Sequence, residues 1–332
     1  MIFSWCSAAA QTSLPDSCKL EFGTNLSGLY DWTTELPFVD LMKIARPWGT
    51  QNITWVTGGS NPFNSNVIDH IPKNAQGYPL QVPFYQPGLG LETDQIVYTL
   101  WADNEAWPSG TYVFLYDGEG TFEFVGDATI TASMPGRLEV QVTPAVYDII
   151  ILKILSTNPA NPARNFRFLM PGHEFTYQTQ PFHPAWMEKV APFTTLRFMD
   201  WGHTNNWGAD YMWENFDEDA DSHRVSWNER ARYDYYTWAT NKGAPYEIMI
   251  QACNQLNKHM WICVPHNASN EYITQLATMV RDQLNPELKV YVEYSNEIWN
   301  WMFGQTHWLY KFGCLYKNQI WPEGITPYIQ NC

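Results

Sequence analysis

"KVYVEYSNEIWNW", residues Lys289 to Trp301, reads as a β-branched and aromatic strand that runs into Asn296-Glu297 and then into tryptophans. Strand alternation places Tyr291, Glu293, Ser295 and, if the extended conformation continues, Glu297 on one side. Glu293 then lies within the sheet and Glu297 at its C-terminal mouth. A buried carboxylate needs a partner, and Arg197 in "LRFMD" is the natural one for Glu293. Arg197 and Glu293 are therefore expected as an interior ion pair. Glu297, among Tyr294, Asn296, Trp299 and Trp301, has few structural reasons to be there. An aromatic pocket around it would suit general-acid work on a glycosidic oxygen.

Three further segments share the grammar of this one: an apolar strand, then polar or aromatic residues, with amphipathic helices between. The first strand, "EFGTNLSGLYDW", precedes "TELPFVDLMKIARPW", where Leu36, Val39, Met42 and Ile44 trace a helical face. The second is "TTLRFMDWGHTNNW". The third, "HMWICVPHNAS", follows a helix that opens at Pro245 and buries Met249, Ala252, Cys253 and Leu256 on one side. The helix before the fourth strand starts at Ser269 as N-cap, runs through Ile273, Leu276, Met279, Val280 and Leu284, and ends at Asn285-Pro286. Such alternation predicts a parallel sheet. Polar residues gathered after each strand predict a (β/α)8-type barrel with its chemistry at the strand C-terminal ends.

The stretch from Gln51 to Gly172 has a different pattern, with short alternating runs and turn signals. "TYVFLYDGEGTFEFVG" predicts a hairpin about Asp117-Gly118-Glu119-Gly120. "RLEVQV" puts Leu138, Val140 and Val142 on one face. The expected fold class is thus α/β: a partial (β/α)8 barrel of four βα units with an inserted antiparallel β-sandwich. The segments are 1–20 (an N-terminal segment), 21–50 (first βα unit), 51–172 (sandwich) and 173–332 (units two to four and a tail).

A formal charge of −15 over 332 residues argues against nucleic acid or an acidic membrane as partner. No apolar run is long enough to span a bilayer. Seventeen Trp, nineteen Tyr and seventeen Phe are an unusual aromatic load: core filling must cover most of them, and a minority are either core as well or ring faces for stacking on sugars. Six cysteines form no CxxC pair. Cys6 with Cys18 and Cys314 with Cys332 would each close a short loop; Cys253 and Cys263 are either two buried thiols or a bridge. Sequons at Asn25, Asn52 and Asn267 are candidate glycosylation sites. The acidic run "ENFDEDADSHR" lacks the Gly and Glu of a calcium loop and is expected to be solvated. No metal or cofactor is expected.

Candidate ligand contacts follow each strand: Trp32 after the first; Asp200, Trp201, His203 and Asn205 after the second; His266 after the third; Asn296 and Trp299 after the fourth. Amide, imidazole and carboxylate groups beside ring faces suit sugar hydroxyls and C–H faces. A glycan on Asn267 would exclude that residue from lining a pocket.

"NLSGLYDWTTELPFVDLMKIARPW", "SGTYVFLYDGEGTFEF", "YQTQPFHPAW", "LRFMDWGHTNN" and "VYVEYSNEIWN" together resemble a group of secreted bacterial proteins known as cellulose-binding domain proteins. These are similar to (β/α)8 glycoside hydrolases whose acid/base is a Glu after Asn on the fourth strand. The resemblance implies that Asn296 binds a sugar 2-hydroxyl, that Glu297 is the acid/base, and that the protein is secreted. Retaining hydrolases place a second carboxylate about 5 Å from the first, and the resemblance puts it on a seventh strand that this chain does not supply. The expectation is an extracellular carbohydrate-active module whose open barrel face is covered by another chain or by self-association. The alternative is a non-catalytic structural or glycan-binding glycoprotein.

Overall fold

The computed structural model describes residues 21–315, apart from 57, 61, 90–92, 145 and 208–223. In chain order, β1 (Gly23–Asn25) is followed by β2 (Gly49–Asn52), β3 (Gln95–Ala102), β4 (Gly110–Asp117), β5 (Gly120–Gly126), β6 (Ala128–Met134), β7 (Arg137–Val142), β8 (Ile149–Thr157) and β9 (Arg164–Leu169). Then come α1 (Pro184–Val190), β10 (Thr195–Arg197), α2 (Tyr246–Leu256), β11 (His259–Val264), α3 (Asn270–Gln283), β12 (Val290–Tyr294) and α4 (Gly304–Leu315). The class is α/β, with one parallel and two antiparallel sheets of four strands each among the described residues. Among the described residues no helix is long and apolar enough to cross a membrane.

The parallel sheet has the order β1-β10-β11-β12, in which every neighbour pair is parallel and in chain order. A helix precedes each of the last three strands. Ser269 caps α3 by accepting from the Tyr272 N–H at 3.1 Å. Helix α2 buries Met249, Ala252 and Cys253. Helix α3 buries Tyr272, Leu276 and Val280 but leaves Ile273 exposed, one residue off the expected stripe. The expected helix after β1 is replaced by a single 3-10 turn, Leu41–Ile44. Pro37 disfavours the helical region for Leu36, whose φ is 50°. The Asp40 side chain then starts the turn by accepting from the Met42 N–H. Residues 38–40 meanwhile bridge in extended form to Phe182 and Leu169.

The antiparallel sheets have the orders β2-β3-β8-β5 and β6-β7-β4-β9. Their inner faces meet ring to ring: Phe114 of β4 lies 5.2 Å from Phe122 and 5.6 Å from Phe124 of β5, and Trp101 of β3 lies 5.2 Å from Phe168 of β9. Leu138, Val140 and Val142 of β7 are buried, as their alternation predicts. The hairpin expected at Asp117–Gly120 does not form. β4 pairs with β7 and β9, whereas β5 pairs with β8 in the other sheet, so the turn carries the chain between sheets. Gly118, at φ 78°, allows it: a Cβ there would meet the Pro162 carbonyl oxygen at 2.4 Å.

Edge strand β12 exposes Val290, Tyr291, Val292 and Tyr294. Cys253 and Cys263 are buried free thiols and do not bridge. Burial pushes the Cys263 thiol up to about 12. Cys6, Cys18, Cys332 and most of the acidic run lie outside the described residues, as does the side chain of Cys314.

Candidate functional site

Arg197, the last residue of β10, makes contacts to all three of the other strands of the parallel sheet. Its Nε and Nη2 donate to Glu293 Oε2 of β12 at 3.0 and 2.7 Å, and Nη1 donates to Asn25 Oδ1 of β1 at 3.0 Å. Its guanidinium lies 5.2 Å from the ring centre of Trp261 on β11, whose Nε1 also donates to Glu293 Oε2. Arg197 Nη2 further donates to Asn296 Oδ1 at 2.9 Å. The Asn296 Nδ2 donates in turn to Asn205 Oδ1 at 3.0 Å. Gln305 closes the network by donating to Asn205 Oδ1 and to the Asn296 carbonyl while accepting from the Asn206 N–H. Both ends of the Asn296 amide are thus engaged, and the residue is buried. It positions Arg197 in place of the ligand contact expected of it.

The strand does not continue to Glu297. Ser295 and Glu297 have φ of 54° and 40°, so the alternation stops at Tyr294. Ser295 turns into the core and Glu297 turns out to solvent, where Oε2 accepts from Asn300 at 2.9 Å. Trp299 and Trp301 are exposed as well, so the pocket expected around Glu297 is not formed by them. Trp201 is a core residue, 1% exposed and packed on Phe38, Trp186 and Phe198, so it presents no free ring face. Two of the three sequons are also buried: Asn52 and Asn267 are no more than 9% exposed, leaving no room for a glycan in the folded chain. Asn25 is exposed.

Trp32 and His203 come together. They line a cavity of about 440 Å³ with Tyr30, Asp31, Arg46 and Asn206, closed on one side by Ala239, Thr240 and Asn241. Trp32 stacks on Tyr30 with centroids 4.7 Å apart and planes 4° from parallel, and it remains 48% exposed. The turn bearing both rings is fixed from within: the Tyr30 N–H donates to Thr33 Oγ1, and buried Asp31 pairs with Arg46 at 2.7 Å. Asp200 does not line this cavity but is half-buried near enough to Tyr30 for its charge to act on that hydroxyl, and its carboxylate accepts no hydrogen bond from any described residue. Burial raises its pKa against the opposing charge of Arg197. Burial also raises the Tyr30 hydroxyl, and the Asp200 charge adds to that. A stacked ring platform beside an unengaged carboxyl and an imidazole can hold a ring that carries hydroxyls. Arg46 and residues 239–241 lie outside the strand-end pattern, and no motif in the sequence marks them.

His266 is elsewhere, 2% exposed with neither ring nitrogen hydrogen-bonded, its ring against Trp308. Burial pushes it down to about 4 from its ordinary 6.5. Because the folded pKa is depressed, the unfolded chain binds the extra proton between these values. Stability is therefore expected to fall as pH drops from about 6.5 toward 4, by roughly 2–3 kcal/mol from this residue. Urea unfolding across that range should show the slope, and His266→Phe should flatten it. An unchanged slope in the variant would assign the effect to other groups.

Comparison of the chain with protein-family models, with curated proteins and with solved structures finds no match.

Proposed function

We propose that the chain is an extracellular carbohydrate-binding module whose parallel sheet is the first half of a (β/α)8-like barrel, with the glycan held at the strand C-terminal mouth. Supporting the barrel part are four parallel strands adjacent in chain order, with polar side chains gathered beyond their ends. One observation carries the binding part: the Tyr30–Trp32 stack, half-exposed at the rim of a cavity that also offers His203, Asn206 and Arg46. Ring faces take the C–H face of a sugar, and the polar groups around them take its hydroxyls.

Binding is preferred to hydrolysis because Glu293 is engaged by Arg197 and Glu297 stands in solvent outside the cavity lining. The test is calorimetric titration with soluble β-linked gluco- and manno-oligosaccharides. Trp32→Ala is expected to weaken binding by about tenfold or more, equivalent to about 1.4 kcal/mol. Trp299→Ala and Glu297→Gln should leave affinity unchanged. Equal losses for Trp299→Ala would move the site to the loop after β12. Turnover of these substrates, abolished by Glu297→Gln, would restore the glycoside hydrolase as the better reading.

A further inference from the structure

A second cavity, of about 420 Å³, lies where the antiparallel sheets meet the segment between β10 and α2, and it shares no lining residue with the first. Its volume falls within the roughly 300–1,000 Å³ of small-molecule sites. Tyr78, Phe166, Tyr233 and Trp238 supply ring walls. Four charged side chains are set among them, two of each sign: Asp40 and Asp234, Lys43 and Arg167.

Two of the four already have partners outside the cavity lining: Asp234 accepts from Arg232 and Gln76, and Arg167 lies 3.8 Å from Asp117. The capacity of Asp40 and Lys43 is only partly used. Both backbone donors to Asp40, from Met42 and Phe168, reach the same atom, Oδ1. Oδ2 has no partner among the described residues. Lys43 forms no ion pair with Asp40; it donates to the Tyr235 carbonyl at 2.9 Å and sits 4.9 Å from the Trp238 ring centre. That uses one of its three N–H groups. Arg167 Nε and Trp238 Nε1 also lack acceptors, but they expose no surface, so neither opens onto the cavity. Trp238 is itself 3% exposed.

We propose that this cavity is a second binding site, for a neutral ring bearing several hydroxyls such as a monosaccharide or the end unit of an oligosaccharide. Hydroxyls both donate and accept, so a single ligand can donate to Asp40 while it accepts from Lys43. Its apolar face would lie against the rings. With Asp234 paired to Arg232 and Arg167 to Asp117, an anion would face Asp40 and a cation would face Lys43. The balance of charge selects a ligand with none.

The site stands apart from the Trp32 platform, and the experiment separates the two. Glucose, mannose, galactose and xylose, all monosaccharides, are titrated into the whole protein by calorimetry, alongside glucuronate and glucosamine as charged analogues. At least one neutral sugar is expected to bind in the millimolar range, more tightly than its charged analogues. Tyr233→Ala is expected to weaken it by about tenfold, and Trp32→Ala to leave it unchanged. Tyr233 is 45% exposed, so its removal spares the core, and a matching thermal melt verifies folding. Lys43→Met should weaken binding further. The proposal is overturned if no neutral sugar binds, if binding is lost with Trp32→Ala and kept with Tyr233→Ala, or if a charged analogue binds best.

Discussion

Arg197→Met is expected to lower the free energy of unfolding by about 3–4 kcal/mol, within the cost of breaking a buried ion pair. The arginine is 16% exposed and the Glu293 side chain 28%, so neither charge is well solvated once its partner is gone. Four hydrogen bonds go with the guanidinium: two to Glu293 and one each to Asn296 and Asn25. Trp261 still donates to the orphaned carboxylate, which tempers the loss. Glu293→Leu alone leaves Arg197 buried with amide partners only and should cost a similar amount. The double variant, with both charges replaced by apolar groups, is expected to be more stable than the sum of the single losses predicts. Urea denaturation at constant m measures all three. Additive losses would mean that the two charges do not interact.

This pair shows how far the sequence leads. A carboxylate in the middle of one apolar strand and an arginine in another need each other wherever the strands share a sheet, so Arg197 and Glu293 are legible from strand patterning alone. The helices α2 and α3 are legible for a similar reason: Pro245 and Ser269 mark their starts, and an apolar stripe holds them to the sheet. Glu297 is where periodicity fails. Alternation extrapolates a strand past Tyr294, but two left-handed residues, Ser295 and Glu297, turn the chain, and nothing in "YSNEIW" announces a positive φ at Ser or Glu. The Asp117–Gly120 turn fails differently. A Gly-rich turn fixes only the reversal of the chain; which sheet receives the next strand depends on distant partners, β7 and β9 against β8. Strand-end position likewise finds Trp32 and His203 but cannot tell them from Trp201, because the burial of one tryptophan in that run depends on Phe38 and Trp186, which lie before and after the antiparallel sheets. Cavities assembled from segments far apart in sequence, such as Tyr78, Phe166 and Trp238, leave no local trace.

Gly243→Ala is expected to cost about 3–5 kcal/mol, adding backbone strain to a steric clash that cannot relax locally. Gly243 has φ 68°, and a Cβ built there would stand 2.2 Å from the Trp201 carbonyl oxygen and 2.8 Å from the His203 nitrogen. Both neighbours are backbone, so no side-chain rotation gives way. The contact is also held closed: the Ala244 N–H donates to the Trp201 carbonyl at 2.6 Å, and the Gly243 N–H to the Thr240 carbonyl at 3.0 Å. Thr240 and His203 both line the Trp32 cavity, so the shift that admits a methyl group displaces part of that lining. Oligosaccharide affinity should therefore fall along with stability. Gly172→Ala supplies the reference, with φ 84° and no atom within 4 Å of the added carbon, and strain alone should cost it about 1 kcal/mol. The difference between the two melts isolates the close approach of residues 201–203 to Gly243. If Gly243→Ala proves no worse than Gly172→Ala, that approach is absent and the cavity lacks the wall that makes it a site.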